Sequence, residues 1–180
     1  MKREKILFIT QAAVIAAIYV ALTYVANAAG LASGTIQVRI SEALTILPLF
    51  TPAAIPGLFV GCILANTLTG CALFDIVFGS LATLLGAVGT YLLRRVSPFL
   101  APVPPIAANM LIVPFVLRYV YDVPGSIPFF MLTVGIGEVI SCMVLGLLLY
   151  RALLPHKESL FPAEPSEVTG EQAAGVLTMK

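Results

Sequence analysis

Charged residues are scarce in this sequence. Asp, Glu, Lys and Arg make up 11% of its 180 residues, against about 25% in an average globular chain. Hydrophobic residues make up 59%, and the mean hydropathy is +1.03. This composition excludes a secreted or cytosolic enzyme. The net charge of +1 provides no basic surface for phosphate groups, so a nucleic-acid-binding protein is excluded as well.

Metal-ligating residues are also few. The chain has one histidine, His156, and three cysteines, Cys62, Cys71 and Cys142, with no Cys-x-x-Cys pair. The ligand spacings typical of zinc, haem and iron–sulfur sites are therefore missing. We predict no metal site and no cofactor, and we interpret the cysteines as small apolar packing residues.

Motifs for catalysis and for ATP hydrolysis are missing from the sequence. It contains no Gly-x-Ser-x-Gly, no His-Glu-x-x-His and no Gly-x-x-x-x-Gly-Lys-Ser/Thr loop, which carry hydrolase, metalloprotease and nucleotide chemistry respectively. We therefore predict that the chain is not an enzyme and that it does not hydrolyse ATP itself.

Long uncharged runs are the main feature of the chain. Residues 6–38, 43–74, 76–93 and 96–117 contain no Asp, Glu, Lys or Arg, and about 20 apolar residues span a bilayer. We predict an all-α membrane protein whose single domain, residues 1–154, is a bundle of six transmembrane helices. The predicted helices are 6–29, 41–50, 54–69, 73–93, 105–121 and 127–151.

The second predicted helix is unusually short. Ten residues of α-helix cover about 15 Å, half of the hydrocarbon core. The helix either begins earlier, in the 35–40 region, or is a half-helix supported by its neighbours. A short, broken helix beside charged residues is typical of a binding cavity.

The distribution of Lys and Arg indicates the orientation. These residues cluster at 2–5, 94–95 and 151–157, which fall on one side if six helices cross. Cytoplasmic ends are rich in Lys and Arg, so both termini are predicted to be cytoplasmic. Residues 155–180 are rich in proline and glutamate, and we predict a disordered cytoplasmic tail there.

Glu138 is the most informative intramembrane charge. It lies about 16 Å into the last helix by helical rise, where a carboxylate costs about 2.5–3.5 kcal/mol. Gly135 and Gly137 beside it allow a backbone or a flat ligand to approach. We interpret Glu138 as a binding residue; the alternatives are a protonated interhelical hydrogen bond or an ion pair with Arg39 or Arg118.

Five further polar residues are candidates for the same site. Arg39 and Glu42 lie at the mouth of the short helix, where they could also form a salt bridge at its N-terminus. Asn66 ends one helix and Asp75 begins the next; a helix-packing amide and a first-turn acid are the simpler interpretations. Arg118 lies at the outer boundary, where arginines commonly act as membrane anchors.

Small residues form rows along the first helix. Ala12 and Ala16, like Ala13 and Ala17, are four residues apart, and such rows mark close helix contacts in lipid. The rows either pack inside the bundle or dock on another membrane protein.

Three stretches of the sequence resemble the QueT family, whose members are substrate-binding S components of energy-coupling factor (ECF) transporters for queuosine precursors. The most specific stretch is residues 37–57, QVRISEALTILPLFTPAAIPG; the others are NMLIVPFVLRY at 109–119 and TVGIGEVIS at 133–141. The similarity covers residues 5–152.

The resemblance implies a six-helix S component in the bacterial cell membrane, with a transmembrane scaffold subunit and two ATPase subunits as partners. It implies that Ala12, Ala13, Ala16 and Ala17 dock on the scaffold, and that the pocket lies toward the outer half, lined by the long first loop and the later helices. The implied substrate is a 7-deazaguanine base. Glu138 is then expected at its ring edge, and Glu42 or Asp75 at an aminomethyl group.

Two other functions remain open from the sequence. A secondary transporter or channel, proton-coupled through Glu138, would work without ATPase partners, although the halves of the chain show no repeat of the kind such transporters usually have. An S component for another vitamin-like compound is the alternative within the same class. An intramembrane enzyme is weaker, since no nucleophile–base pair is present.

Overall fold

A computed structural model describes residues 2–31 and 36–161. The described part is helical and contains no strand. The helices are α1 (Lys2–Ala28), a 3₁₀ helix (Ile40–Leu49), α2 (Ala54–Leu68), α3 (Leu73–Leu93), α4 (Val103–Tyr119), α5 (Ile127–Glu138), a π-helical segment (Val139–Leu145) and α6 (Gly146–Leu153). The last three are continuous and are called the last helix below. The predicted all-α fold is confirmed, and each predicted segment corresponds to one of these helices.

The chain is apolar enough for a membrane. Arg3–Ala28, Leu73–Leu93 and Ile127–Leu160 are long and apolar enough to span a bilayer, and Ile40–Leu49, Ala54–Leu68 and Val103–Tyr119 are shorter apolar helices. Large hydrophobic side chains point outward along the bundle; the side chain of Leu73, for example, is 71% exposed. Such a surface is stable in lipid rather than in water.

The short second helix lies in the centre of the bundle. It begins at Ile40, so the described residues 36–39 are not part of it, and its residues 41–48 are all buried between α1, α3 and the last helix. Ten residues at the 3₁₀ rise cover about 20 Å, less than a hydrocarbon core of about 30 Å. Of the two interpretations made from the sequence, the structure favours a half-helix supported by its neighbours.

Glycines on α2 bring α1 close. A side-chain carbon on Gly57 would lie 2.7 Å from the Ala12 carbonyl oxygen, and one on Gly61 would lie 3.0 Å from the Ala16 Cα. Ala12 and Ala16 therefore pack inside the bundle, so the structure does not support their predicted docking role. Ala13 and Ala17 are exposed.

The predicted tail begins with ordered structure. Helical turns continue through Leu154–His156 and Lys157–Leu160, and the ring of Phe161 stacks on Phe50 with centroids 5.4 Å apart. Disorder therefore does not begin at residue 155 as predicted, because these turns extend the last helix. Residues 162–180 lie outside the described residues.

Candidate functional site

A cavity of about 450 Å³ lies where several helices end. The C-terminal ends of α1, α2 and α4 meet the beginnings of the 3₁₀ helix and α3 there. Its lining includes Tyr19, Arg39, Asn66, Asp75 and Tyr121. Three of the six residues predicted from the sequence to bind the substrate, Arg39, Asn66 and Asp75, are thus brought to one cavity. Residues 32–35 of the first loop, which the resemblance places at the pocket, lie outside the described residues.

Asp75 is held by a tyrosine from the other side of the cavity. The Tyr121 hydroxyl donates to Asp75 Oδ2 at 2.9 Å and accepts the Ala72 N–H at 3.1 Å. Asp75 Oδ1 accepts no hydrogen bond from the described residues. Partial burial, reinforced by the nearby Asp75 carboxylate, raises the pKa of Tyr121 to about 12, so this hydroxyl stays protonated at physiological pH and remains a donor.

Asn66 lies beside the same carboxylate. A side-chain carbon on Gly79 would be 3.2 Å from Asn66 Nδ2 and 3.6 Å from Asp75 Oδ1. The missing side chain at Gly79 therefore makes room for an amide and a carboxylate together. Asn66 Nδ2 also donates weakly to Cys62 Sγ at 3.6 Å.

Arg39 contributes the positive charge of the cavity. Its backbone N–H donates to Ser141 Oγ at 3.1 Å, which ties this extended residue to the last helix. Its guanidinium forms no ion pair or hydrogen bond with the described residues, and Asp75 is the carboxylate that acts on it most strongly. A planar guanidinium with free N–H donors suits a ligand carbonyl or another planar acceptor.

Glu42 and Glu138 lie together behind the cavity, outside its lining. Both are buried, and one carboxylate oxygen of each lies within 4.8 Å of the other and of Cys142 Sγ. The Tyr19 hydroxyl donates to Glu42 Oε1 in a short hydrogen bond. Tyr19 also lines the cavity, so it connects the cavity wall to Glu42. Among the described residues, neither Arg39 nor Arg118 forms an ion pair with Glu138. Such an ion pair was one of the alternatives that the sequence left open.

Arg118 does not reach the cavity. It pairs with the exposed Asp122 of the loop that follows α4, at 3.6 Å, and donates to the Val123 carbonyl at 3.4 Å. This placement favours the anchor interpretation over the predicted binding role, because the partner of Arg118 lies four residues away in its own segment.

The family of the chain follows from comparison with known proteins. The family model described as the QueT transporter matches residues 9–155, most of the chain and every helix that lines the cavity. The chain belongs to the QueT transporter family.

One curated relative of this QueT family member is the queuosine precursor transporter QueT of Lactococcus lactis subsp. cremoris (strain MG1363). It is 34% identical over 85 residues, which cover 47% of this chain and 50% of the relative. The chain thus spans about half the length of the curated relative it matches. No solved structure matches this QueT family member.

Several site residues of this QueT protein were not predicted from the sequence. Tyr19 and Thr23 are polar residues four apart on α1, a spacing that places them on one face and could have indicated the cavity wall. Cys142 follows Glu138 by the same four residues. Tyr121 carried no comparable signal, because tyrosines are common at membrane boundaries.

Proposed function

We propose that this QueT family protein is the substrate-capture S component of an ECF-type importer. In this proposal it binds a queuosine precursor, a 7-deazaguanine base, from outside the cell, and a transmembrane scaffold subunit with two ATPase subunits drives uptake. The observation that carries the proposal is the convergence of Arg39, Asn66 and Asp75 on one cavity. The name of the Lactococcus relative supports the substrate class.

The cavity suits a small polar base in size. Ligand sites commonly enclose about 300–1,000 Å³, and 450 Å³ lies in this range. A base of about 13 heavy atoms needs roughly 0.9 kcal/mol per atom for nanomolar binding, below the ceiling of about 1.5 kcal/mol per atom. Tight capture is therefore feasible if the polar groups of the base are matched.

The lining residues match the groups of a guanine-like ring. The free Oδ1 of Asp75 accepts from an N–H edge or from an aminomethyl group, and Arg39 and Asn66 donate to the ring carbonyl. The ring-edge role expected for Glu138 and the aminomethyl role of Glu42 require a rearrangement, because neither carboxylate lines the cavity. We therefore assign the first contacts to Asp75, Arg39 and Asn66.

The membrane arrangement is part of the same proposal. Six spans, with the short helix counted as one, place both termini in the cytoplasm and the cavity at the outer end. Supporting this, Lys and Arg are concentrated at the ends opposite the cavity. The protein is then a multi-pass protein of the bacterial cell membrane. A transporter family is also consistent with a sequence that lacks catalytic motifs.

Calorimetric titration of the purified chain in detergent tests the binding proposal. The ligands are 7-deazaguanine precursors, guanine and a set of vitamins. We expect sub-micromolar binding of a deazaguanine, lost in Asp75→Asn and retained in Asp122→Asn, which changes an exposed carboxylate outside the cavity. Binding of a vitamin instead would change the substrate while keeping the transporter class. Absence of all binding would contradict the capture proposal.

The buried Glu42–Glu138 pair favours one second candidate, a proton-coupled secondary transporter. Intramembrane carboxylates often mark proton pathways. The two functions differ in one measurement: uptake of the precursor into proteoliposomes that contain only this chain and carry a proton gradient. Uptake there, lost in Glu138→Gln, would support the secondary transporter, whereas an S component requires its ATPase partners.

A further inference from the structure

Three buried side chains converge behind the cavity. Glu42 comes from the 3₁₀ helix, Glu138 ends α5, and Cys142 lies in the π-helical segment. Glu42 is 1%, Glu138 6% and Cys142 1% exposed, and one ligand atom from each lies within 4.8 Å of the other two. The Cys142 thiol donates to Glu138 Oε2 at 3.1 Å, so two of the three already touch.

Polar atoms at this cluster are left without partners. Glu42 Oε1 accepts from Tyr19, but no described residue lies within hydrogen-bond distance of Glu42 Oε2. The amide of Asn109, 3% exposed on α4, approaches Glu138, yet its Nδ2 reaches no acceptor of the described residues at hydrogen-bond distance. Unpartnered polar atoms are costly inside a bundle surrounded by lipid. The cluster is therefore incomplete as it stands.

Ion-pair partners for the two carboxyl groups are also missing from the described residues. Within the described residues, no Lys or Arg forms an ion pair with either carboxylate. Arg39 is the basic residue whose charge acts on both, and it lies on the cavity side. The other groups that face the cluster are neutral: Tyr19, Cys62, Thr83 and Asn109. Two neighbouring carboxyl groups without a paired cation are ligands that a metal ion can bind.

We propose that Glu42, Glu138 and Cys142 bind one divalent transition-metal ion, zinc by ligand type. Carboxylate oxygens combined with a cysteine sulfur form a donor set that zinc accepts, whereas calcium and magnesium take oxygen ligands. On binding, the Cys142 thiol gives its proton to solvent and a sulfur–metal bond forms. The three anionic ligands then surround a double positive charge, with Arg39 close by.

The distances are close to those of a metal site. Tetrahedral zinc, at about 2.0–2.3 Å from its ligands, holds them about 3.3–3.8 Å apart. The contact between Cys142 and Glu138 at 3.1 Å is near this range. The Glu42 oxygen lies within 4.8 Å of both ligand atoms, and rotation of the Glu42 side chain would shorten these two distances. Turning the Asn109 amide over places its carbonyl oxygen where Nδ2 now lies without a partner, and this supplies a fourth ligand.

The metal site is separate from the proposed substrate cavity. None of Glu42, Glu138 and Cys142 lines the cavity; Tyr19, which does line it, donates to Glu42. The metal would join the 3₁₀ helix to the last helix, whatever the protein transports. Failure of the metal proposal therefore leaves the capture proposal untouched, and the reverse also holds.

Cobalt titration of the purified full-length chain tests the proposal, because Co²⁺ occupies zinc sites and absorbs strongly when bound to a thiolate. We expect stoichiometric uptake with a thiolate-to-cobalt band that zinc displaces, and a higher melting temperature with zinc. Cys142→Ser should abolish the band. Glu138→Gln should weaken cobalt binding by more than about tenfold, and it keeps the test informative if Cys142→Ser does not fold.

Cys62→Ser is the matched control, since Cys62 is equally buried on α2 and lies outside the three-residue cluster. We expect it to retain the band at wild-type affinity. A wild-type chain that binds neither cobalt nor zinc would overturn the proposal. So would a band that persists in Cys142→Ser or disappears in Cys62→Ser.

Discussion

Asp75 shows how a single carboxylate is prepared for a ligand. Tyr121 occupies one of its oxygens and is itself fixed by the Ala72 N–H, so the carboxylate has a defined direction. The other oxygen accepts nothing from the described residues. A carboxylate held in this way loses little conformational entropy when a ligand binds, which favours affinity.

Tyr121→Phe should weaken precursor binding by about tenfold, because it removes a hydrogen bond to a charged group, which contributes about 1.5 kcal/mol. The ring remains, so the fold should be unaffected. Calorimetry measures the change. Tyr24→Phe is the control, since the Tyr24 hydroxyl donates to the Leu68 carbonyl outside the cavity. Equal affinities of the two variants would show that Tyr121 does not position Asp75 for binding.

Gly79→Ala should reduce binding without reducing stability. Its new side-chain carbon would crowd Asn66 Nδ2 at 3.2 Å and displace the amide from the Asp75 carboxylate. At the same time, alanine stabilises a helix by about 1 kcal/mol relative to glycine. Calorimetry and thermal unfolding in detergent separate the two effects. A variant that binds as tightly as the wild type would argue against Asn66 as a ligand contact.

The polar site residues could be predicted from the sequence only in part. Arg39, Asn66 and Asp75 stand out because polar residues are rare in so apolar a chain. Glu42 and Glu138 stand out for the same reason, yet neither lines the cavity, and no local pattern in the sequence contains that packing. For Arg118, the sequence could not distinguish a binding role from an anchoring role. Nothing in it shows that the loop after α4 brings Asp122 back to this side chain.

At the scale of the helices, the sequence predicts lengths better than geometry. Thr51-Pro52 sets the predicted end of the second helix, which is observed at Leu49, whereas the sequence left open whether the helix begins earlier, in the 35–40 region. Its 3₁₀ winding was not predicted, because residues 41–48 are buried on all sides and the surrounding helices decide how tightly the chain winds. The π-helical segment after Glu138, which packs against the 3₁₀ helix, was not predicted either.

Gly61→Ala tests the contact between α1 and α2. A side-chain carbon there would lie 2.9 Å from Tyr19 Cβ and 3.0 Å from the Ala16 Cα, so α1 must move. We expect a loss of about 1–3 kcal/mol in the free energy of unfolding, seen as a lower melting temperature in detergent.

Gly146→Ala is the matched control for that substitution. Its nearest neighbour, the Ala43 carbonyl oxygen, would be at an ordinary contact distance of 3.5 Å. We expect this variant to be at least as stable as the wild type, because alanine is the better helix former. Equal losses in the two variants would mean that glycine is needed for another reason than helix contact.

For the whole molecule, the two rows of small residues on α1 face different surroundings. Ala12 and Ala16 pack on α2, whereas Ala13 and Ala17 remain exposed on the outside of the bundle. The spacing of the alanines is the same in both rows, so the sequence could not assign one row to the bundle and the other to a partner. The positions of Gly57 and Gly61 decide between them.

The proposed assembly with a scaffold subunit predicts a separation of binding from uptake. Replacing Ala13 and Ala17 together by leucine should leave calorimetric binding of the precursor unchanged, because neither residue approaches the cavity. It should abolish ATP-dependent uptake in cells that supply the partners, since close helix contact in lipid requires small residues. Ala152→Leu, at an exposed alanine of the last helix, should retain both activities. Normal uptake by the Ala13, Ala17 variant would place the partner on another face of the bundle.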